Sequence, residues 1–256
     1  MELDHAHLTL KLADKEQDLL AAERLRYEVF VEELGGDGAL VDHAGRFERD
    51  RFDPVFDHLV LIDETRDRST LDHVVGVYRV LPSGRSERYY SEDEYDLSPL
   101  IRTGRPLLEL GRTCVREGYR NGVALHLLWN GLADYVRARN IEVLFGVASL
   151  HGTDVEALAG PLSLLHHSHL APPELRVRAQ KGVYQPMDLV PPNQIDRVAA
   201  MRAVPALIKS YLKLGGFVGD GAFVDHDFNT TDVCLVIDID RMSPSALARY
   251  AKGAGA

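Results

Sequence analysis

The segment from Leu107 to Ala124 reads LLELGRTCVREGYRNGVA and joins an apolar, strand-like run to a glycine-containing turn. An amphipathic segment, Val123 to Arg139, follows directly and predicts a helix. The first turn of a helix presents unpaired backbone N–H groups and partial positive charge, so it can hold a phosphate. The predicted phosphate-binding residues of this turn are Arg116, Arg120, Asn121 and Gly122. An ordinary solvated basic turn is the alternative interpretation.

Strands and helices alternate on both sides of this segment. The predicted strands cover 7–12, 58–63, 74–81, 107–115, 143–149 and 233–239, and the predicted helices cover 14–34, 123–139, 153–170 and 205–214. Asp14 and Gln17 have the spacing of a capping box at the start of the first helix, and Gly35 and Gly36 end it. The loop 37–56 is long and charged, as functional or mobile loops are. This order predicts an α+β fold with a mixed, mostly antiparallel sheet and helices on both faces.

The composition is that of an ordinary globular protein, with 256 residues, 45% hydrophobic and 27% charged. A single domain over 1–256 is the simplest organisation for this length. The net charge of −10 argues against a nucleic-acid partner, because binding phosphate backbones requires a surplus of Lys and Arg. An acidic partner would need basic residues gathered on one face, and five arginines lie close together in sequence at 102, 105, 112, 116 and 120.

Cys114 and Cys234 lie inside apolar runs, where a free cysteine is typically a small core residue of a reduced protein. The N-terminus shows no secretory signal, and no apolar run approaches the roughly 20 residues of a membrane span, so we expect a cytoplasmic protein. The predicted helix 205–214 has an apolar side with Lys209 and Lys213 on another. This pattern predicts either peripheral contact with the inner membrane or an ordinary surface helix.

The three histidines at 166, 167 and 169 do not predict a metal site. On a helix only His166 and His169 share a face, and no cysteine or second spaced histidine pair completes a ligand set. We therefore expect no metal, and packing or pairing roles for these side chains.

Four motifs follow one another along the chain. They are RYEVF at 26–30, ERDRFD at 48–53, GVYRVLP at 76–82 and ELGR at 109–112. Their order resembles that of the autoinducer synthases, a GNAT-like family that transfers acyl groups from acyl carrier protein. The turn with Arg120 and Gly122 also resembles a shortened GNAT cofactor loop. Since an acyl carrier protein presents its thioester on an arm with a single phosphate, the resemblance implies that a reduced loop suffices.

Motifs in the last third of the chain carry a second resemblance. They are LLHHSHLAP at 164–172, RVRA at 176–179, GGFVGDG at 215–221 and DHDFNTTDV at 225–233. They look like those of the bacterial L-ornithine Nα-acyltransferases, and the resemblance extends over 19–242. It implies transfer of a 3-hydroxyacyl group from acyl carrier protein to the α-amino group of L-ornithine, which forms lyso-ornithine lipid. It also implies no bound cofactor beyond the phosphopantetheine thioester of the donor, and a family-specific C-terminal extension at about 172–256.

Three alternatives to this function stay open. In the first, the acceptor is another amino acid, glutamine or glycine. In the second, the chain is an acyl-homoserine-lactone synthase that acts on S-adenosylmethionine. In the third, it is a non-catalytic lipid-binding protein. The second alternative is disfavoured because the only tryptophan, Trp129, lies in a predicted helix and the N-terminal tryptophan of the autoinducer synthases is missing.

Glu109 is the candidate catalytic residue. Amide formation from a thioester requires a neutral amine, so a base must take a proton from the α-ammonium group. Glu109 lies in the predicted strand beside the phosphate-binding turn and can act directly or through a water. A structural ion pair with Arg112 is the alternative.

The remaining polar residues of the motifs are candidates for binding the acceptor. Acidic residues of the loop would bind its two ammonium groups, and an arginine would hold its carboxylate as a bidentate partner. These candidates are Arg26, Glu48, Asp50, Asp53, Arg79 and Arg112. The alternative is that the loop carboxylates are merely solvated.

Overall fold

The computed structural model describes residues 7–242 and has the α+β architecture that the sequence predicts. Its strands are β1 (Leu8–Leu12), β2 (Asp57–Asp63), β3 (Val74–Pro82), β4 (Tyr95–Asp96), β5 (Leu107–Val115), β6 (Val143–His151), β7 (Arg178–Ala179), β8 (Phe217–Val218), β9 (Phe223–Asp225) and β10 (Thr230–Asp238). Its α-helices are α1 (Glu16–Arg26), α2 (Ser98–Ile101), α3 (Val123–Ala138), α4 (Ala159–His169), α5 (Arg197–Ala203) and α6 (Ala206–Lys213). A π-helical segment, Tyr27–Glu33, continues α1. Short 3-10 helices cover Arg68–Thr70, Tyr90–Asp93, Glu117–Tyr119, Pro173–Leu175, Pro192–Gln194 and Ile239–Arg241.

Two compact units divide the described chain. Unit 1 contains 7–81 and 110–139, and unit 2 contains 82–109 and 140–242. Strand β5 therefore contributes its first three residues to unit 2 and the rest to unit 1. A single domain with a C-terminal extension from about residue 172 stays a prediction, and the part of that extension at 243–256 lies outside the described residues.

Unit 1 is built on antiparallel strands covered by α1. β1 pairs with β2 from Leu8 opposite Asp63 to Leu12 opposite Leu59, and β2 pairs with β3. Since side chains alternate along a strand, one face of β2 and β3 meets the apolar side of α1. This core contains Ala21, Ala22, Leu25, Val60, Ile62, Val74 and Val77, all of them fully buried. The loop 37–56 follows the helical segment and carries three of the candidate carboxylates.

Unit 2 is built on β10, which pairs antiparallel with β6 along nine residues of each strand. The first three residues of β5 pair in parallel with Val143–Phe145 of β6, and this ladder ends with Glu109 opposite Phe145. β8 and β9 both pair with β10. One parallel pair among antiparallel pairs makes the sheet mixed and mostly antiparallel, so the predicted sheet type is confirmed.

Most predicted elements occur within a few residues of their predicted bounds. Strand 107–115 is reproduced as predicted, and Gly35, with φ of +74°, lies just beyond the first helical segment. The capping box at its start is wrong. Lys15 is the N-cap and makes no side-chain cap, while the Asp14 carboxylate accepts a hydrogen bond from Lys11 Nζ at 2.6 Å. An ion pair has therefore replaced the local cap.

The predicted helix 153–170 begins six residues later than expected. The Asp154 carboxylate accepts hydrogen bonds from the backbone N–H groups of Glu156 and Ala157, which holds this segment in turns. Pro161 is the third residue of α4, and a proline is tolerated in the first turn of a helix but not in its interior. A helix from residue 153 would have placed Pro161 in its third turn.

Several short elements are absent from the prediction, among them β4, α2, β7, α5, β8 and β9. Each has seven residues or fewer, so its periodicity is too short to stand out from loop sequence. The apolar side of α6 is used within the protein, since Ile208 and Tyr211 are buried. This favours the ordinary-surface-helix interpretation of 205–214. Among residues 7–242, no helix has both the length and the apolar composition to cross a bilayer.

The close approach of Gly216 to the end of α6 gives a test of the fold of unit 2. A Cβ atom on Gly216 would lie 2.9 Å from the Tyr211 carbonyl oxygen and 3.2 Å from Ile237 Cγ1. We expect Gly216→Ala to lower the free energy of unfolding by about 1–3 kcal/mol, because a backbone atom must move. Gly182→Ala is the control, as a Cβ there has no neighbour within 4 Å and should change stability by less than about 0.5 kcal/mol. Urea unfolding followed by circular dichroism measures both, and equal effects would contradict the packing.

Candidate active site

The six residues predicted to bind the acceptor lie together in unit 1. They are Arg26 at the end of α1, Glu48, Asp50 and Asp53 in the loop 37–56, Arg79 in β3 and Arg112 in β5. Three guanidinium groups thus meet three carboxylates, and we call these six residues the ion cluster. Its formal charge is zero.

Arg26 is the centre of the ion cluster and is fully buried. Its Nε donates a hydrogen bond to the Glu48 carboxylate. Its two terminal nitrogens donate to both oxygens of Asp53, at 2.5 Å and 3.1 Å. This bidentate arrangement is the strong form of an arginine–carboxylate contact, because both planar groups are held in a defined orientation.

Arg79 and Arg112 complete the ion cluster. The Nη1 atom of Arg79 lies 2.9 Å from Asp53 Oδ1 and 2.7 Å from Asp50 Oδ2. The guanidinium of Arg79 also stacks over the ring of Phe56, 4.2 Å from its centroid. Arg112 Nε lies 3.1 Å from Glu48 Oε1, and Arg112 Nη2 lies 3.3 Å from Asp50 Oδ2. Each carboxylate therefore joins two arginines, so the six side chains form one connected network.

The ion cluster keeps its carboxylates charged despite their burial. Burial alone would raise the pKa of Glu48, but Arg26 and Arg112 outweigh it and lower that pKa to about 2. The pKa of Asp53 is likewise lowered well below its usual range, since Arg26 and Arg79 outweigh burial. Both groups are anions at neutral pH.

Exposure within the ion cluster is graded. The side chains of Arg26, Glu48 and Arg79 are at most 1% exposed, whereas those of Asp50, Asp53 and Arg112 are 15%, 13% and 14% exposed. We call the last three residues the rim. The rim is therefore the part of the ion cluster that is accessible to solvent.

Arg112 has an unusual backbone conformation for a residue in a strand. Its φ is +49°, in the left-handed region that non-glycine residues rarely adopt. Such a conformation costs about 1–3 kcal/mol and persists only where surrounding contacts determine it. The contacts of Arg112 with Glu48 and Asp50 supply that determination.

His58 is a member of this site that sequence reasoning missed. It is 3% exposed and lies opposite Arg79 in the β2–β3 ladder, with Nε2 3.7 Å from Asp53 Oδ1. Neither ring nitrogen has a hydrogen-bond partner among residues 7–242. Burial, helped by Arg26 and Arg79, lowers the pKa of His58 to about 4, so the ring is neutral at physiological pH. The sequence feature that could have indicated His58 is its position in a predicted strand directly after the acidic loop.

Glu109, the predicted base, belongs to unit 2 and is 1% exposed. Its Oε1 accepts hydrogen bonds from the Ser91 backbone N–H at 2.6 Å and from the Ser91 hydroxyl at 2.5 Å. Its Oε2 accepts one from the Tyr90 backbone N–H at 2.9 Å. Glu109 therefore holds the 3-10 helix Tyr90–Asp93, and no motif or spacing indicated that Ser91 would be its partner.

The predicted phosphate-binding turn lies in unit 1, and Gly122 has φ of +93° immediately before α3. The Asn121 side chain accepts a hydrogen bond from the Val123 backbone N–H. Arg116 pairs with Glu28 at 2.5 Å, and Arg120 pairs with Glu33 at 2.6 Å. The strand–turn–helix geometry is as predicted, but both arginines are already neutralised by carboxylates, and their role toward a phosphate stays a prediction.

Both cysteines are buried, and His167 contacts the backbone of its own chain. Cys114 and Cys234 are both buried and free. Burial raises the pKa of Cys114 to about 12 and that of Cys234 well above its usual range, so neither is a thiolate at neutral pH. His167 Nε2 lies 3.2 Å from the Val190 carbonyl oxygen. Over residues 7–242, no group of three or more His, Cys, Asp or Glu side chains is arranged to hold a metal ion.

Comparison with known proteins identifies relatives in sequence and in fold. The family model of the acetyltransferase (GNAT) domain matches residues 25–130. The L-ornithine N(alpha)-acyltransferase of Rhodobacter capsulatus is 58% identical over 237 residues, which are 91% of this chain and 91% of that protein.

Two solved structures share the fold. FeeM, an N-acyl amino acid synthase from uncultured soil microbes, has a TM-score of 0.54 and 10% identity over 94% of this chain and 97% of its own. The AHL synthase LasI has a TM-score of 0.50 and 15% identity over 98% of both chains. The GNAT-like fold that the motifs implied is confirmed, and the AHL synthase LasI shares this fold.

Removing one charge from the ion cluster should be costly. We expect Glu48→Gln to lower the free energy of unfolding by about 3–5 kcal/mol, because Arg26 and Arg112 would lose their shared anion in a buried place. Glu32→Gln is the matched control: it removes one partner of an exposed pair with Arg46 and should cost less than about 1 kcal/mol. Fluorescence of the single Trp129 during urea unfolding measures both. Similar losses would show that the ion cluster contributes no more than a surface pair.

Acid should destabilise unit 1 through His58. Its pKa is lowered from an ordinary value of 6.5 to about 4, so between these values the unfolded chain binds a proton that the folded chain does not. The free energy of unfolding should therefore fall, by at most about 1.4 kcal/mol per pH unit, as the pH drops through this window. In His58→Gln the part of this slope that comes from His58 should be lost, and a smaller slope should remain from groups such as Glu48 and His169, whose pKa values are also lowered. An unchanged slope would assign the acid sensitivity elsewhere.

Proposed function

This chain belongs to the L-ornithine Nα-acyltransferase family, and we propose that it transfers a 3-hydroxyacyl group from acyl carrier protein to the α-amino group of L-ornithine. The product is lyso-ornithine lipid. The observation that carries this proposal is the 58% identity to the Rhodobacter capsulatus protein, which extends over nine-tenths of both chains. The site of action is the cytoplasm, with any contact at the inner membrane made by surfaces other than the buried apolar side of α6.

The reaction exchanges a thioester for an amide. The neutral α-amine attacks the thioester carbonyl carbon, a C–N bond forms, and the C–S bond breaks. The carrier thiol leaves as a thiolate and takes up a proton. Before the attack the α-ammonium group must lose a proton, which requires a base in the site. Neither buried cysteine supplies a thiolate, so direct transfer without an acyl-enzyme intermediate fits this chain.

Glu109 is the proposed base. It is a buried carboxylate whose orientation is set by three hydrogen bonds from Tyr90 and Ser91. A fixed carboxylate of this kind can accept a proton at a defined position, either directly or through a water. Its contacts with the 3-10 helix Tyr90–Asp93 also mean that it supports local structure, and a test must separate the two roles.

The rim is the proposed acceptor-binding surface. Arg112 is the most accessible of the three cluster arginines, so it is the one that would hold the ornithine carboxylate. Asp50 and Asp53 would bind the two ammonium groups. Arg26, Glu48 and Arg79 would support the rim from beneath, by fixing its charges and its geometry. Two rim carboxylates favour an acceptor with two ammonium groups, such as ornithine, over glutamine or glycine, which carry one each.

The turn before α3 is the proposed site of the donor phosphate. Backbone N–H groups at the start of this helix favour an anion, and Gly122 leaves room for a close approach. The arginines at 116 and 120 would exchange their bonds to Glu28 and Glu33 for bonds to the phosphate. This exchange makes donor binding dependent on salt.

The reaction and its acceptor can be tested in one experiment. The purified protein is incubated with 3-hydroxypalmitoyl acyl carrier protein or, in parallel, with the acyl-coenzyme A of the same acid. Each reaction contains one acceptor: ornithine, glutamine, glycine or S-adenosylmethionine. Free carrier thiol and product mass are followed together. We expect thiol release with acylated ornithine. Acylation of a different amine would refute the acceptor, release from acyl-coenzyme A alone would refute the donor, and no transfer from either donor would favour a lipid-binding protein.

Substitutions should separate the proposed roles. Glu109→Gln should lower kcat by at least about 100-fold with little change in KM for the donor, because proton removal is lost. Glu92→Gln is the control for the 3-10 helix, since the Glu92 carboxylate accepts a hydrogen bond from the Tyr89 backbone N–H in the same turn. Arg120→Ala should instead raise KM for the donor in a salt-dependent way. If Glu92→Gln lost as much activity as Glu109→Gln, Glu109 would be a structural residue.

A further inference from the structure

Unit 2 carries a surface whose charge is opposite to that of the chain as a whole. From Arg197 to Gly219 the sequence contains four basic residues and no acidic one, in a protein with 39 acidic and 29 basic residues. The four are Arg197, Arg202, Lys209 and Lys213, which belong to α5 and α6. We call these four residues, which lie on two consecutive helices of unit 2, the basic face.

The packing of α5 directs its basic residues outward. Ala200 is buried, and it lies against Gly160 of α4. Arg197 and Arg202 are exposed. The Lys209 ammonium donates a hydrogen bond to the Arg202 carbonyl oxygen at 3.2 Å, which brings α6 beside the end of α5. Lys213 is exposed one turn further along the same side of α6.

The basic face is not neutralised by carboxylates of the described chain. Arg197 donates a hydrogen bond to the Ser168 hydroxyl, and the nearest acidic residue in sequence, Asp196, uses its carboxylate to cap α5. Arg202 and Lys213 make no side-chain hydrogen bond or ion pair within residues 7–242. Three other arginines of unit 2 all bind carboxylates: Arg105, Arg178 and Arg241. Charge left uncompensated in a strongly acidic protein is suited to an acidic partner.

We propose that the basic face docks the acidic body of the acyl carrier protein. This inference rests on the proposed function for the identity of the donor, and it concerns the protein body rather than the phosphopantetheine arm. Charges at such a surface increase the rate of encounter and fix the orientation of the partner, and their effect weakens as salt screens them.

An anionic membrane is the other class of partner that a basic face attracts. Membrane-binding helices combine basic residues with an apolar face that enters the lipid. In α6 the residues of that kind, Ile208 and Tyr211, are buried in the protein. Val198 is the only large apolar side chain of α5 and α6 that is strongly exposed, at 71%. The basic face therefore offers charge with little apolar surface, which favours a protein partner.

Arg202→Glu tests the proposal, because Arg202 has no side-chain bond to any residue of 7–242 whose loss would perturb folding. Lys181→Glu is the matched control, since Lys181 is an exposed cation of unit 2 outside the basic face and the change in net charge is the same. We expect Arg202→Glu to raise KM for 3-hydroxyacyl carrier protein about tenfold at low salt, with kcat within about twofold of the parent. The difference should shrink as ionic strength rises from about 0.05 to 0.5 M. Lys181→Glu should change KM less than about twofold.

A donor without a carrier separates docking from chemistry. The N-acetylcysteamine thioester of the same acid should be used equally well by the parent and both variants. Equal KM values for the carrier-bound donor in the two variants would overturn the proposal. It would also be overturned if Arg202→Glu lost as much activity with the small thioester as with the carrier-bound donor. Binding of the unloaded carrier, measured by biolayer interferometry, distinguishes failure of the docking surface from failure of the proposed reaction. Arg202-dependent binding without any acyl transfer would retain the docking surface and refute the proposed reaction, whereas transfer from the small thioester without carrier binding would do the reverse.

The same variants test the membrane alternative. Vesicles of phosphatidylglycerol are sedimented with the parent and with each variant at low salt. Arg202-dependent sedimentation together with an unchanged KM for the carrier would assign the basic face to a lipid surface and overturn the proposal.

Discussion

Burial of two guanidinium groups, those of Arg26 and Arg79, is the constraint on which unit 1 depends. Removing an arginine from water costs several kcal/mol unless a carboxylate meets it with good geometry. Arg26 is fully buried and Arg79 almost so, and each lies against carboxylates from the loop 37–56. The loop must therefore take one path across the ends of α1 and β3. The long, charged loop 37–56 takes a defined conformation because its carboxylates must neutralise the arginines beneath it.

The same constraint explains local features that are unfavourable by themselves. Arg112 keeps a left-handed backbone conformation inside a strand, because that conformation directs its side chain to Glu48 and Asp50. His58 is held neutral in a place where its ring nitrogens find no partner among the described residues. Strain and unsatisfied groups of this kind concentrate at functional sites. The rim is where the network reaches solvent, so the geometry of its three side chains is set by the buried pairs.

The basic residues of this protein fall into two groups, those that form ion pairs and those that do not. The cluster arginines, together with Arg116 and Arg120, are paired with carboxylates of the same chain, so they confer little net positive potential. Within residues 7–242 the basic face of α5 and α6 forms no ion pair, although the whole chain carries a net charge of −10. A count of arginines along the sequence does not separate the two cases. The five arginines between 102 and 120 predicted a basic region, whereas the structure shows several of them engaged in ion pairs.

The sequence by itself determined the class of the fold, most of the long elements and the family. The run 107–115 and the helix after Gly122 were predictable because apolar periodicity and glycine are local signals, and the ordered motifs along the chain carried the family resemblance. Only the tertiary structure decided which charges meet. It paired Glu109 with Ser91 across 18 residues and Arg112 with Glu48 across 64, added His58 to the ion cluster, and buried the apolar side of α6. The physical reason is that electrostatic and packing partners are set by distance in space, which residue spacing along the chain does not record.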